Sequence, residues 1–144
     1  MFKKFSLLVA LTFAFNSYAA DTVAQAGDWT VEYNTGSAFY SAAKGTEEIT
    51  MECLLGEMTF AGTIGETGED FNSHDDKVLI VIDGTPYKAP VTLQERSNFY
   101  NAVRKAKGSI QYRTAAGFVS EVYSIRGLRA LLNQVEFDLS DCKE

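Results

Sequence analysis

Alternation of apolar and polar residues dominates the first half of the chain. "Trp29-Thr-Val-Glu-Tyr33", "Ala38-Phe-Tyr-Ser-Ala42" and "Ile49-Thr-Met-Glu-Cys53" each place apolar groups two residues apart, as half-buried strands do. "Met58-Thr-Phe-Ala-Gly62" continues the series, and Gly45 and Gly56 fall near the turns. "Val78-Leu-Ile-Val-Ile82" is apolar without interruption and predicts a central strand buried on both faces. Asp83-Gly84 then signals a turn into a shorter partner, "Thr85-Pro-Tyr-Lys-Ala89".

The period changes after Val91. "Thr92-Leu-Gln-Glu95" is a capping box, in which the Thr hydroxyl and the Glu carboxylate satisfy reciprocal backbone donors. The helix it opens carries Phe99, Ala102, Val103 and Ala106 on one face and is expected to stop at Gly108. "Ser109-Ile-Gln-Tyr-Arg-Thr114" and "Phe118-Val-Ser-Glu-Val-Tyr-Ser124" predict a hairpin across Ala115-Ala116-Gly117. Ser124 then precedes a second helix with Ile125, Leu128, Leu132 and Val135 at helical spacing. The pattern predicts an α+β fold: an antiparallel sheet or small sandwich with two helices from the C-terminal half packed on one face. No linker, repeat or low-complexity segment divides it, so one domain is expected.

The first residues obey neither period. Lys3 and Lys4 precede an apolar run, Phe5 to Phe15, and "Ser17-Tyr18-Ala19" supplies small residues at the −3 and −1 positions. This reads as a secretory signal peptide over residues 1–19, cleaved after Ala19, which leaves residues 20–144 as a single periplasmic domain. The run is too short to span a membrane as a stable helix. Removing it takes away two Lys and moves the formal charge from −6 to −8. So acidic a chain is poorly suited to nucleic acid or anionic membranes, and fits a basic protein partner. Cys53 and Cys142 are the only cysteines, and an oxidising compartment favours pairing them. Closing a loop of about 90 residues would stabilise by roughly 4–5 kcal/mol in the chain-entropy description.

Candidate chemistry gathers in "GETGEDFNSHDDK", Gly65 to Lys77. It holds five carboxylates, the only His and one Phe. Glu69, Asp70, Asn72, Asp75 and Asp76 supply oxygens, but their spacing is not that of a calcium loop and no Gly stands at the sixth position. One His cannot build a zinc site beside a bonded cysteine pair. No Gly-x-Ser-x-Gly elbow or Gly-rich phosphate loop is present, and His74 has no distinctive catalytic partner. A non-enzymatic protein without metal or cofactor is therefore expected. The segment is then either a solvated loop or a partner-facing one. Phe71 decides between them: exposed at the tip it would be an anchor, buried it would be core. The partner-binding set so predicted is Glu69, Asp70, Phe71, Asp75 and Asp76, with Phe39 and Tyr40 of "GSAFY" second. Trp29 and most other aromatics are expected in the core. Arg96, Arg104, Lys105, Lys107 and Arg113 form the one basic neighbourhood and are expected to balance the acidic face.

Two stretches carry a family resemblance. "Ala26-Gly27-Asp28-Trp29-Thr30-Val31" resembles the opening of the invasion-associated locus B family of exported bacterial proteins. "AVRKAKGSIQYRT" followed by "FVSEVYSIRGLRALL" and a later Cys resembles a module of small periplasmic proteins. The resemblance implies a non-catalytic envelope protein. In size, export signal, single disulfide and acidity the chain is also similar in kind to periplasmic immunity proteins that protect against type VI secretion cell-wall hydrolases. The expected function is binding and blocking such a toxin or hydrolase by occluding its cleft. The alternative is a general envelope protein of the invasion-associated type with no dedicated enzyme partner. Exposed strand edges would also be compatible with a homodimer.

Overall fold

The structure is a computed structural model and describes residues 21–34 and 37–134. Residues 1–19, expected to form a signal peptide, lie outside the described residues, as do Val135 and Cys142. Six strands form one antiparallel meander: β1 (Asp21–Ala26), β2 (Trp29–Asn34), β3 (Ser37–Lys44), β4 (Glu47–Leu54), β5 (Glu57–Thr63) and β6 (Asp70–Asn72), each paired with the next. The registers align side chains into rows. Trp29, Ala42, Ile49, Gly62 and Phe71 are successive cross-strand partners, and so are Val31, Tyr40, Met51 and Phe60. Both rows point inward, which is why the two-residue period of the sequence predicts the buried face.

A second antiparallel sheet has the order β10-β9-β7-β8, with β7 (Val78–Ile82), β8 (Thr85–Lys88), β9 (Ser109–Thr114) and β10 (Tyr123–Ser124). Helix α1 (Leu93–Lys105) follows β8, and α2 (Ile125–Gln134) follows β10. The fold is α+β, with two antiparallel sheets and two helices. Val78, Ile80, Ile82, Ile110, Tyr112 and Tyr123 join the inward rows of the first sheet, together with Phe99 and Val103 of α1 and Ile125, Leu128 and Leu131 of α2. Phe60 stands at the centre, edge-on to Phe99 at 5.2 Å and to Tyr112 at 5.7 Å between ring centroids. Trp29 is fully buried, as expected, and its indole N–H donates to the Ser124 carbonyl at 2.9 Å.

Four details differ from the pattern reading. First, β7 is buried on both sides only in part: Val81 is buried, but Leu79 on the same face remains 38% exposed. Its cross-strand neighbours on that face are Lys88 and Arg113, whose charged heads need water. Second, the return strand of the hairpin is reduced to Tyr123–Ser124 and a single bridge between Arg113 and Val119. The segment bows toward the first sheet instead, where the Glu121 N–H donates to Glu47. Third, β6 lies inside what reads as a loop, and β1 occupies a stretch for which the pattern predicts no strand. Fourth, α1 does not end on a left-handed glycine. Ala106 turns extended at ψ 145°, and Gly108 is not among the positive-φ glycines.

The stop comes from Asp83. That residue sits at φ 48° in the β7–β8 turn ahead of Gly84, and its carboxylate accepts from the N–H groups of Lys107, Gly108 and Ser109 at 2.9–3.0 Å. Any side chain at 108 would collide with this carboxylate, since a Cβ there would lie 2.7 Å from Asp83 Oδ1. The three N–H donors, led by those of Lys107 and Ser109, hold the Asp83 carboxyl below its ordinary value of 3.8. A depressed folded-state value stabilises the fold above the unfolded value and loses that effect as pH falls through the folded one. Asp83→Asn should therefore lower the urea midpoint at pH 7, and the gap from wild type should narrow at pH 3. An equal gap at both pH values would show that the charge plays no part. At the other end of α1 the capping box forms as predicted, with Glu95 N–H donating to Thr92 Oγ1 at 3.2 Å and Glu95 Oε2 accepting from Thr92 N–H at 3.0 Å.

Candidate functional site: the acidic loop and the outer sheet face

The segment from Gly65 to Lys77 is a shaped connection. Asp70, Phe71 and Asn72 pair with Thr63, Gly62 and Ala61 as β6. Alternation on that short strand sends Phe71 inward and its neighbours outward. Phe71 is 5% exposed, and its ring stacks tilted on Phe118 at 5.3 Å and meets Tyr112 edge-on at 6.5 Å. The expectation of an aromatic anchor at a loop tip is thus corrected: Phe71 is core. Its ring also explains Gly62, where a Cβ would lie 2.7 Å from Phe71 Cζ and 2.6 Å from the Glu48 carbonyl. The ring covers the glycine and fills the space its missing side chain leaves.

The turn that follows is built on Asn72. Its side-chain oxygen accepts from the N–H groups of His74 and Asp75 at 2.9 and 3.0 Å, an Asx arrangement. Its amide donates to Asp75 Oδ2 at 2.9 Å, and its own N–H reaches Asp76 Oδ2 at 3.2 Å. The carboxylates of Asp75 and Asp76 are exposed and engaged in shaping this turn. The His74 ring meets Thr59 Oγ1 at 2.9 Å. Asp70 accepts from Thr63 Oγ1 at 2.7 Å, and Glu69 reaches the Thr67 hydroxyl only at 3.4 Å. Among the described residues no group of three His, Cys, Asp or Glu is placed to hold a metal ion.

The second predicted pair divides across a strand. Phe39 and Tyr40 stand in the middle of β3, with Tyr40 1% exposed between Val31 and Met51. Tyr40 therefore drops out as a contact residue, by the same alternation that retains Phe39. Phe39 faces outward and is half-buried, flanked across the ladder by Glu32 and Glu52.

Sequence reasoning missed the surface on which Phe39 sits. The outward rows read Thr30, Ser41, Thr50, Ala61, Asn72; then Glu32, Phe39, Glu52, Thr59; then Ala43, Glu48, Thr63, Asp70. Four carboxylates, small hydroxyls and one aromatic are interleaved with no Lys or Arg. Asp70 joins this face to the acidic turn. The signal was present in the charge order: residues 20–76 contain twelve acids and Lys44 as the one Lys or Arg, while most cations follow. Among the described residues those later cations lie on the second sheet, α1, α2 and their connections, so the acidic and basic halves of the chain become different layers.

Cys53 is buried on β4, and among the described residues no cysteine is free. Among the same residues no helix is long and apolar enough to cross a membrane. No protein-family model, curated protein or solved structure matches this chain. What the fold and surface define is an α+β protein of two antiparallel sheets with charge segregated between its layers.

Proposed function

We propose that this chain is an exported, non-enzymatic protein that binds and blocks another protein, most concretely an immunity or inhibitor protein acting on a cell-wall-degrading toxin or hydrolase. The observation that supports this reading is the outer face of the six-stranded sheet: acidic, with no Lys or Arg in its cross-strand rows among the described residues, and centred on a half-buried Phe39. Such a face attracts a basic-rimmed surface and penalises an acidic one. With Phe71 in the core, occlusion falls to the sheet surface around Glu32, Phe39, Glu48, Glu52 and Asp70, and not to an inserted aromatic loop.

The test is co-purification of the mature chain with candidate secreted hydrolases, followed by cell-wall digestion assays with equimolar protein. A hydrolase should be recovered stoichiometrically and lose activity. Changing Glu48, Glu52 and Asp70 together to Lys should slow association roughly 10- to 1,000-fold at low salt, with an unchanged melting temperature. Recovery of no stoichiometric protein partner would overturn the proposal; tight binding by the triple variant would move the interface elsewhere.

A further inference from the structure

A cleft of about 670 Å³ opens at one end of the two-layer stack. Its walls are the β3–β4 turn from Lys44 to Glu47, the β5–β6 connection at Ile64, Gly65 and Glu66, and the segment from Gly117 to Glu121. The Thr46 hydroxyl donates to the Gly65 carbonyl at 2.8 Å and ties two of these walls together.

Glu47 lines this cleft and is only 8% exposed. Its Oε1 accepts from the Glu121 N–H and from the Tyr123 hydroxyl, both at 2.9 Å. Among the described residues no hydrogen bond or ion pair reaches Oε2. The one cation in the lining, Lys44, is engaged elsewhere: its ammonium donates to the Val122 carbonyl at 2.6 Å and lies 5.2 Å from the centre of the Tyr123 ring. Glu66 and Glu121 add two more carboxylates to the lining, so acids outnumber the single ammonium. Oε2 therefore opens to the solvent of the cleft, where an incoming cation can reach it while Oε1 stays fixed by Glu121 and Tyr123. Ile64, Phe118 and Val119 give the lining an apolar wall suited to an alkyl stem.

We infer that this cleft receives an arginine side chain, its guanidinium on Glu47 Oε2 and its methylenes against Phe118, Val119 and Ile64. A planar guanidinium can serve Glu47 and a lining carboxylate together, which a point ammonium does less well. The occupant is assigned to the protein partner because the cleft adjoins the acidic outer face: Glu48 follows Glu47 on β4, and Thr63 precedes Ile64. To this extent the inference rests on the partner-binding reading.

The experiment titrates the mature chain with N-acetylarginine amide, with N-acetylleucine amide as control, and follows the backbone amides of Gly45, Gly65 and Gly117 by NMR. Saturable shifts are expected with the arginine probe only. Glu47→Gln keeps an oxygen for Tyr123 and Glu121 but removes the charge, and should weaken the probe at least about tenfold, while Glu48→Gln on the outer face should not. Absence of shifts, or equal shifts in Glu47→Gln, would overturn the inference. Should Glu47→Gln fail to fold, Val119→Lys places a competing ammonium at a half-exposed wall position and must block the probe with Glu47 intact; undiminished binding would again overturn it. The two proposals separate cleanly. Probe binding without a hydrolase partner leaves the cleft standing and sinks the inhibitor reading. A hydrolase partner indifferent to Glu47→Gln, with no probe binding, does the reverse.

Discussion

Trp29→Ala should destabilise the fold by roughly 3–5 kcal/mol, the range for emptying a large aromatic from a packed core. Trp29 is fully buried in the inward row that crosses five strands, with the Tyr123 ring edge-on at 6.2 Å. Truncation removes that volume and also deprives the Ser124 carbonyl of its indole donor, at the point where β10 passes into α2. The two losses fall on the same joint between the first sheet and the second layer. Trp29→Phe separates them: it keeps most of the ring and drops the donor, and should cost about 1–3 kcal/mol. Urea denaturation followed by circular dichroism measures both. A loss of under about 1 kcal/mol for Trp29→Ala would mean that Trp29 does not hold this joint.

Gly127→Ala is expected to destabilise as well, against the direction of helix propensity. Within α2, alanine is intrinsically better than glycine by about 1 kcal/mol. Gly127, however, faces the β1–β2 turn at close range. A Cβ would overlap the backbone carbonyl of Ala26 and sit 3.0 Å from Cδ1 of Trp29. A backbone carbonyl in a sheet cannot swing aside as a flexible side chain can. The helix must lift from the sheet, at a cost typical of overpacked cores, about 1–3 kcal/mol or more after the propensity gain is offset. A lower thermal midpoint is the expected result, and an increase would show that α2 sits farther from β1 than described. In the Trp29→Phe background the penalty should shrink only in part, because the Ala26 contact remains.

Period-two alternation located β2 to β5 and β9, because each has one face against the core and the register rows carry the pattern from strand to strand; β7 was legible as an unbroken apolar run and β8 from the Asp83-Gly84 turn before it. The alternation passed over β1, whose six residues hold Val23 as the one large apolar side chain, and it failed at β6, which is too short to show a period. β6 has three residues, and only its pairing with β5 makes it a strand. Charged residues around Phe71 outweigh one aromatic in any local reading, yet a single inward position is all a three-residue strand needs. The capping box was legible because its chemistry is local, within four residues. The end of α1 was not, since Asp83 reaches it from 24 residues away. For the same reason the candidate surfaces were half visible. The acidic loop stands out as a run, whereas Glu32, Glu48, Glu52 and Asp70 converge only when five strands are laid side by side. Glu47 looks like any strand-end carboxylate until Glu121 and Tyr123, more than 70 residues on, fold over it.

The shortness of β6 has a consequence for how the molecule behaves in company. A meander of six strands ends in two edges whose unpaired backbone groups could recruit another chain. At one edge the sheet stops after Asp70, Phe71 and Asn72, and the Asn72 side chain at once bends the chain into a turn crowded with Asp75 and Asp76. An incoming strand would find three residues of ladder and a cluster of like charge. Self-association through that edge is thereby discouraged, which protects the folded chain against polymerising sheet to sheet.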